Sequence, residues 1–257
     1  MNHLQTNAMV RDIAHTYVEL YRQAGITVFP ELMESQHAAY VSALRASGLS
    51  LHRVAAANDY PDCVFIEDVA VVFGARALIG RIAPHREGEQ GEVADALAEW
   101  HEIIRLPPGA KLEGGDVMHI GETTYVGLSE RTNEAGIEAL RDFLHPARQR
   151  VVEVRVEKAL HLKTAATYLG DGTLVAARDL LDTSPFEVAD IIFTERDERG
   201  AANCLRILDH LLISTGRPAT AKRLRTFAER NGVNLIALDN SEFEKGNGSL
   251  TCLSLIW

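Results

Sequence analysis

The sequence is poor in cysteine and has no cysteine pattern typical of metal binding. Its three cysteines, Cys63, Cys204 and Cys252, are widely spaced and form neither a CxxC pair nor a Cys/His set. This spacing argues against a disulfide framework and against a structural zinc site. We therefore expect the protein to reside in a reducing compartment.

Runs of basic residues and long apolar segments are also missing. The chain has 26 basic and 36 acidic residues, a formal net charge of -10. That balance disfavours nucleic acid or an anionic membrane as a partner and is compatible with a small cationic ligand. Arg76 and Arg81 interrupt the apolar segment from Val69 to Ala83, and the N-terminal residues are too polar for a signal peptide. We expect a cytoplasmic, non-membrane protein.

The hydrophobic content of 46% is ample for a core in a chain of 257 residues. Although this length also allows two small domains, we expect one domain over residues 1–257. Helical spacing from Leu32 to Leu44 is followed by the strand-like SLHRVAA and by a hairpin from Pro61 to Gly80. A second helix from Val93 to Ile104 is followed by a hairpin from Gly114 to Leu128. The first two units thus share one pattern.

Three further units continue this pattern. The third combines a helix from Ile137 to Leu144, the strand VVEVRV and a hairpin turning at Gly170-Asp171-Gly172. The fourth opens with Ser184-Pro185-Phe186-Glu187, which predicts a short helix running through Ile191-Ile192-Phe193, before a hairpin from 202 to 215. In the fifth, a helix ends at Asn231-Gly232, NLIALD follows, and a last strand carries Cys252. We expect the segment around Met9 to Arg11 to pair with that last strand.

Equivalent points fall near residues 67, 115, 162, 203 and 251, a period of roughly 45 residues that is typical of propellers and solenoids. Five such units would close a ring, although an open α/β sheet with coincidental spacing is an alternative. In a ring, the polar residues that interrupt the inner strands would face one central mouth. They are Glu67 and Asp68, Glu113, His161, Asn203 and Cys252.

Cys252 and His161 with several acids suggest a specific chemistry. Taken alone, Cys252 would be a buried structural cysteine. Beside a histidine it becomes a candidate nucleophile, yet carboxylates oppose formation of its thiolate. A guanidinium substrate would supply the missing positive charge, because its parallel N–H groups match a carboxylate edge. His161 could then protonate the departing nitrogen and later activate water.

Six blocks carry a resemblance to a known family. PDCVFIEDVAVV, LEGGDV, YVGLSERTN, LHLK, AANC and LTCLS, in this order, resemble the dimethylarginine dimethylaminohydrolases (dimethylargininases) of the pentein, or guanidino-group-modifying, superfamily. The resemblance runs from about Gln36 to the C-terminus. It implies an α/β fold, a five-unit αββαβ propeller with pseudo-fivefold symmetry. It also implies hydrolysis of N-methylated arginine to citrulline and a methylamine through a covalent cysteine intermediate, with no metal and no other cofactor.

The resemblance also implies a role for individual residues. Cys252 is similar to the nucleophile, His161 to the general acid and base, and Glu113 to the carboxylate that orients this histidine. The substrate-binding residues are divided by the group they contact. Asp68, with Glu67 beside it, resembles the guanidinium-binding acid, Asp62 the residue that receives the α-ammonium, and Arg86 and Arg131 the pair that binds the α-carboxylate.

The chain departs from the family pattern around the lid of the site. Family members carry a glycine-containing flap with an aliphatic residue, where this chain has YVELYRQAG and Tyr21 is the nearest positional match. Gly246 stands where an aliphatic residue is usual before the nucleophile. The preference for methylated arginine is therefore open. A deiminase of unmethylated arginine and a non-catalytic arginine-binding module are the alternatives, and a homodimer is compatible with the sequence.

Overall fold

The structure is a computed structural model that describes residues 5–257. The predicted absence of a signal peptide falls partly on residues 1–4, which lie outside the described residues. Within residues 5–257 the strands are β1 Asn7–Arg11, β2 Ser50–Val54, β3 Ala70–Phe73, β4 Arg76–Ile79, β5 Glu102–Arg105, β6 Val117–Ile120, β7 Thr123–Leu128, β8 Arg150–Arg155, β9 Ala166–Gly170, β10 Thr173–Ala176, β11 Asp190–Phe193, β12 Leu205–Ile207, β13 His210–Ser214, β14 Asn234–Leu238 and β15 Leu255–Ile256. The α-helices are α1 Thr16–Gln23, α2 Pro30–Ala46, α3 Gln90–Leu97, α4 Glu134–Leu144, α5 Leu162–Ala165, α6 Pro218–Asn231 and α7 Ser241–Glu244. None of these helices is long and apolar enough to cross a membrane.

The described strands form five sheets of three strands with one shared topology. The sheets are β15-β1-β2, β3-β4-β5, β6-β7-β8, β9-β10-β11 and β12-β13-β14. In every sheet the middle strand is antiparallel to one neighbour and parallel to the other. The parallel partner follows a crossover in the chain, as parallel pairing requires. The repeated unit confirms the predicted five-unit α/β architecture.

The two ends of the chain meet in the first sheet. β15 pairs antiparallel with β1, placing Met9 opposite Leu255, and β1 pairs parallel with β2. Both strands are central to the core, because Met9 is fully buried and Leu255 nearly so. The predicted pairing of the N-terminal segment with the last strand is therefore confirmed.

Amphipathic helices pack against the sheets and share the core with them. In α4, Ile137, Leu140 and Leu144 are buried against the sheets around β7, as their helical spacing predicts. Helix α6 ends where predicted, because Gly232 adopts a left-handed conformation with φ 64° that suits glycine. Helix α3, the helix of the second predicted unit, is shorter than predicted.

Helix α3 ends at Leu97, and Ile104 lies in β5 instead. There Ile104 pairs with Leu78 of β4, and the backbone N–H of Glu102 already donates to the carbonyl of Ala75. The adjacent β-branched residues Ile103 and Ile104 favour this strand. The helical spacing that joined Trp100 and Ile104 to the helix was therefore misleading.

The fourth unit has no helix at Ser184 in the described chain, so that prediction was wrong. The hydroxyl and the backbone N–H of Ser184 both donate to the carboxylate of Asp182. The N–H of Glu187 donates to the Tyr125 hydroxyl, and its carboxylate pairs with Arg150. Because both partners of the expected capping box are bound elsewhere, the chain stays irregular until β11.

Five short helices lie at the predicted equivalent points, just before the first strand of each antiparallel pair. We call them the central short helices: Ile66–Val69, Gly114–Asp116, Leu162–Ala165, Arg196–Ala202 and Thr251–Leu253. The first four contact one another in succession, and Thr251–Leu253 contacts Ile66–Val69. Asn203, the residue after Arg196–Ala202, hydrogen-bonds to Thr251 and closes the circle. Cys252 and the pair Glu67 and Asp68 therefore lie on short helices, not on the strands where the sequence placed them.

Candidate active site

The central short helices and the loops beside them enclose one cavity of about 170 Å³. Nine of the ten predicted site residues line it, drawn from segments spread along most of the chain. They are Tyr21, Asp62, Asp68, Arg86, Glu113, Arg131, His161, Gly246 and Cys252. Glu67 is the predicted residue that the structure keeps out of the lining.

His161 lies between two buried carboxylates. Its Nε2 atom is 2.6 Å from Oε2 of Glu113, and its Nδ1 atom is 3.7 Å from Oδ1 of Asp68. Burial alone would lower the pKa of His161, but Asp68, the hydrogen bond to Glu113 and nearby Asp116 raise it to about 9. The imidazole is therefore cationic at neutral pH. The other oxygen of Glu113 accepts from the backbone N–H of Ala83 at 2.8 Å, which fixes this carboxylate.

The glycines after Glu113 make this close packing possible. A Cβ on Gly115 would lie 2.7 Å from Nδ1 of His161 and 3.0 Å from Oδ1 of Asp68. A Cβ on Gly114 would lie 2.0 Å from the carbonyl oxygen of Glu67. The LEGGDV block thus needs two glycines because neighbouring central short helices meet there.

Asp68 makes a hydrogen bond through only one of its two carboxylate oxygens. Its Oδ2 accepts from Nη1 of Arg86 at 2.7 Å, whereas its buried Oδ1 has no hydrogen-bond partner among the described residues. Burial opposes ionisation of Asp68, yet His161 and Arg86 outweigh it and lower its pKa. A buried ionised oxygen facing a cavity is a strong acceptor for a cationic ligand.

The two arginines differ in how many donors remain free. Arg86 is buried and donates to Asp68, to both oxygens of Glu89 and to the carbonyl of Phe65. These bonds use four of its five N–H groups. Arg131 is 30% exposed, and its nearest carboxylate oxygen, on Glu113, is 3.8 Å away. Arg131 is therefore the freer cation.

Cys252 lies in the 3-10 turn Thr251–Leu253 with 8% of its surface exposed. Burial, Glu67 and Asp68 raise the pKa of its thiol well above the ordinary value, while Lys163 acts in the opposite direction. The cysteine is therefore protonated while the cavity holds no added positive charge.

Glu67 is bound by protein groups that surround the cysteine. Lys163 Nζ lies 2.6 Å from its Oε1, and the Thr251 hydroxyl donates to its Oε2 at 2.9 Å. Asn203, predicted to face the mouth, bonds to both the hydroxyl and the backbone N–H of Thr251. This network holds the residue that precedes Cys252.

Asp62 and Tyr21 meet in the lining of the cavity. The Tyr21 hydroxyl donates to Oδ1 of Asp62 at 2.8 Å. Gly246 lies against the hydroxyl groups of Tyr21 and Tyr17. The lid segment and the loop before the nucleophile, which depart from the family pattern in sequence, are therefore in contact.

Three buried side chains could also bind a cation together. One ligand atom from each of Asp68, Glu113 and His161 lies within 4.8 Å of the others. Two carboxylates and an imidazole form a donor set that a divalent ion accepts. With His161 protonated, the same set presents carboxylate oxygens to a guanidinium.

Five lining residues were not predicted from the sequence. They are Phe65, His85, Leu160, Asn247 and Gly248. Each lies within two residues of a predicted site residue, so proximity in sequence was the available signal. Gly248 makes room for the Phe65 ring, which a Cβ would approach to 2.0 Å.

Comparison with known proteins agrees with this fold and cavity. The family model for arginine deiminase matches residues 31–203. N(G),N(G)-dimethylarginine dimethylaminohydrolase from Streptomyces coelicolor is 41% identical over 220 residues, which are 84% of this chain and 83% of the relative. The protein of the same name from Pseudomonas aeruginosa is 31% identical over 223 residues, 86% of each chain.

Solved structures of known proteins share this fold. A structure of the Pseudomonas aeruginosa enzyme, a cysteine-to-serine mutant complexed with citrulline, superposes with a TM-score of 0.90 at 27% identity, covering 99% of this chain and 100% of the other. The N-terminal domain of a cyanobacterial arginine dihydrolase has a TM-score of 0.84 at 18% identity, covers 99% of this chain and 97% of that one, and shows the shared fold alone.

The chain therefore belongs to the arginine deiminase family, the class of five-unit α/β propellers that its fold defines. Within that family, the two curated relatives above are dimethylarginine dimethylaminohydrolases. The resemblance predicted from the six sequence blocks is confirmed.

Proposed function

We propose that the protein hydrolyses N-methylated arginine to citrulline and a methylamine through a covalent adduct on Cys252. The observation that carries this proposal is buried, ionised Asp68, which lines the same cavity as His161 and Cys252 and whose Oδ1 has no hydrogen-bond partner among the described residues. The relatives' names and the citrulline complex support the substrate class.

Substrate binding follows from the charges of the cavity. The guanidinium donates to Oδ1 of Asp68 and is placed over the sulfur of Cys252. At the other end, Asp62 receives the α-ammonium, and Arg131 binds the α-carboxylate. Arg86 contributes at most its one spare N–H and mainly holds Asp68.

The first half of the reaction forms a covalent intermediate. The bound guanidinium lowers the pKa of the thiol, the thiol releases its proton to solvent, and Sγ bonds to the central guanidinium carbon. His161, a cation held by Glu113, gives its proton to the methylated nitrogen. The carbon–nitrogen bond breaks, releasing methylamine or dimethylamine and leaving a thiouronium.

The second half regenerates the enzyme. His161, now neutral, accepts a proton from water, and the resulting hydroxide adds to the same carbon. The carbon–sulfur bond then breaks, the added hydroxyl gives its proton to the departing sulfur as the ureido carbonyl forms, and citrulline leaves. One histidine serves both halves in opposite directions.

Turnover assays test the proposal directly. The protein is incubated with asymmetric dimethylarginine, monomethylarginine, arginine and agmatine, and both the ureido product and the released amine are identified. We expect citrulline from the two methylated substrates. Ammonia released chiefly from arginine would establish the deiminase alternative, and no turnover of any substrate would leave a binding module.

A nucleophile variant tests the mechanism. Cys252→Ser should abolish turnover and still bind dimethylarginine in calorimetry, whereas Cys204→Ser, at a buried cysteine outside the cavity, should retain turnover. Undiminished activity of Cys252→Ser would contradict the covalent route.

We also propose that residues 1–257 act as one catalytic domain, that the protein works in the cytoplasm, and that it forms a homodimer. The continuous circle of central short helices supports the first point, and three free cysteines suit a reducing compartment. Light scattering of the purified protein tests the oligomeric state.

A further inference from the structure

Tyr21 occupies a position in the cavity where its hydroxyl and the carboxylate of Asp62 form one polar group. The hydroxyl donates to Oδ1 of Asp62 at 2.8 Å, and both residues line the cavity. Burial and Asp62 raise the pKa of the phenol, so it stays protonated. A phenol that donates its hydrogen still has lone pairs to accept one, so the pair offers an ammonium two kinds of acceptor.

The ring of Tyr21 is held in place by the core. It packs on Tyr17, with ring centroids 4.5 Å apart, and Tyr17 in turn contacts Phe65 edge-on at 6.1 Å. Tyr17 is fully buried, which anchors helix α1 to the core around Phe243 and Leu250. Packing therefore fixes the position of the Tyr21 hydroxyl, and this position does not depend on a bound ligand.

Gly246 is matched to these two tyrosines. A Cβ at Gly246 would lie 2.4 Å from the Tyr17 hydroxyl and 2.5 Å from the Tyr21 hydroxyl. Its backbone is not left-handed, so the glycine is required by space and not by conformation. An aliphatic side chain at position 246 would therefore overlap the Tyr21 hydroxyl in its present position.

We propose that Tyr21 is a specificity-determining residue that, together with Asp62, selects substrates carrying a free α-amino group, and that Gly246 is small to accommodate it. The inference rests on the proposed function for the orientation of the substrate. Tyr21 fixes one oxygen of Asp62, leaves the other for the ammonium, and accepts one ammonium hydrogen itself.

Binding measurements that vary the ligand and the protein together test this role. Calorimetry compares L-arginine with 5-guanidinopentanoate, which lacks only the α-amino group, on the parent and on Tyr21→Phe. We expect the variant to bind arginine about tenfold more weakly, the loss typical of one hydrogen bond to a charged group, and to bind 5-guanidinopentanoate unchanged. Tyr168→Phe, which also loses one hydroxyl hydrogen bond but in the β9–β10 hairpin, should change neither affinity.

A double-mutant cycle separates action through Asp62 from a general effect. In an Asp62→Asn background, Tyr21→Phe should cause a smaller loss for arginine than it causes in the parent, because the part of its effect that acts through Asp62 is already gone. Equal losses for both ligands, additive losses in the cycle, or a parent that does not prefer arginine over 5-guanidinopentanoate would each overturn the proposal.

Kinetics with dimethylarginine report separately on the proposed function. Tyr21→Phe should raise KM about tenfold and leave kcat within about twofold, because the hydroxyl contacts the amino-acid end and not the reacting carbon. If the parent did not turn over dimethylarginine but the affinity pattern held, the proposed function would fail and the role of Tyr21 in binding would stand.

Discussion

The Nδ1 atom of His161 lies 3.7 Å from Oδ1 of Asp68, an oxygen that has no hydrogen-bond partner among the described residues. The opposite ring nitrogen is hydrogen-bonded to Glu113, so the imidazolium is stabilised from both sides. Its raised pKa keeps it a proton donor at neutral pH, while the thiol of Cys252 is held in its neutral form. The resting site thus has an acid ready for the leaving group and lacks only the thiolate.

Replacing Glu113 by Gln should weaken the acid. Loss of the charged hydrogen-bond partner lowers the pKa of His161 from about 9 towards its ordinary value, because the protonated form loses its partner. We expect kcat to fall by at least about tenfold. NMR titration of the His161 ring gives the pKa, and Glu138→Gln, at a surface pair with Arg141, is the control. An unchanged pKa would show that Asp68 alone sets it.

Ligand binding should ionise Cys252. Burial and the acids Glu67 and Asp68 raise the thiol pKa, and a bound guanidinium offsets the two acids. Adding arginine at neutral pH should increase the ultraviolet absorbance of a thiolate in the parent but not in Cys252→Ser. A matching rise with norleucine, which has the amino-acid end but no guanidinium, would mean that the cation is not the cause.

The five-unit ring could be predicted from the sequence because its polar residues recur at equivalent points before the inner strands. The burial of Arg86 could not, since its partner Asp68 lies 18 residues away in sequence and its local sequence is a charged loop. The missing helix at Ser184 has a similar cause. Tyr125, which binds the N–H of Glu187, lies 62 residues away in sequence.

Acid should destabilise the fold through His37. Burial, with Arg53 nearby, lowers the pKa of His37 to about 4, below its value in an unfolded chain. Above the pKa of about 6.5 that a histidine has in the unfolded chain, His37 is neutral in both the folded and the unfolded state, so the stability of the fold does not change. Below it the unfolded state binds the proton first, so stability falls by up to about 3 kcal/mol as the pH approaches 4.

The His37→Met variant removes this titration. The free energy of unfolding of this variant, measured in urea, should therefore rise relative to that of the parent as the pH falls from 7 to 5. The free energy of unfolding of His145→Gln, at an exposed histidine, should change with pH as the parent's does. Parallel stability curves for His37→Met and the parent would contradict the assignment.

Lys163 and Glu67 should act as a pair that supports Cys252 and not as a binding site for substrate. Lys163→Met leaves the buried Glu67 carboxylate without its cation, so we expect a loss of about 3 kcal/mol of stability and a lower kcat. Adding Glu67→Gln to this variant removes the unpaired charge and should restore most of the stability. Urea denaturation of the four proteins in this cycle measures the coupling. The affinity of Glu67→Gln for arginine shows whether Glu67 binds the substrate. This affinity should stay within about twofold of the parent's, because the Glu67 oxygens are bound to Lys163 and Thr251. A much larger loss would assign Glu67 to the guanidinium site, as the family resemblance implies.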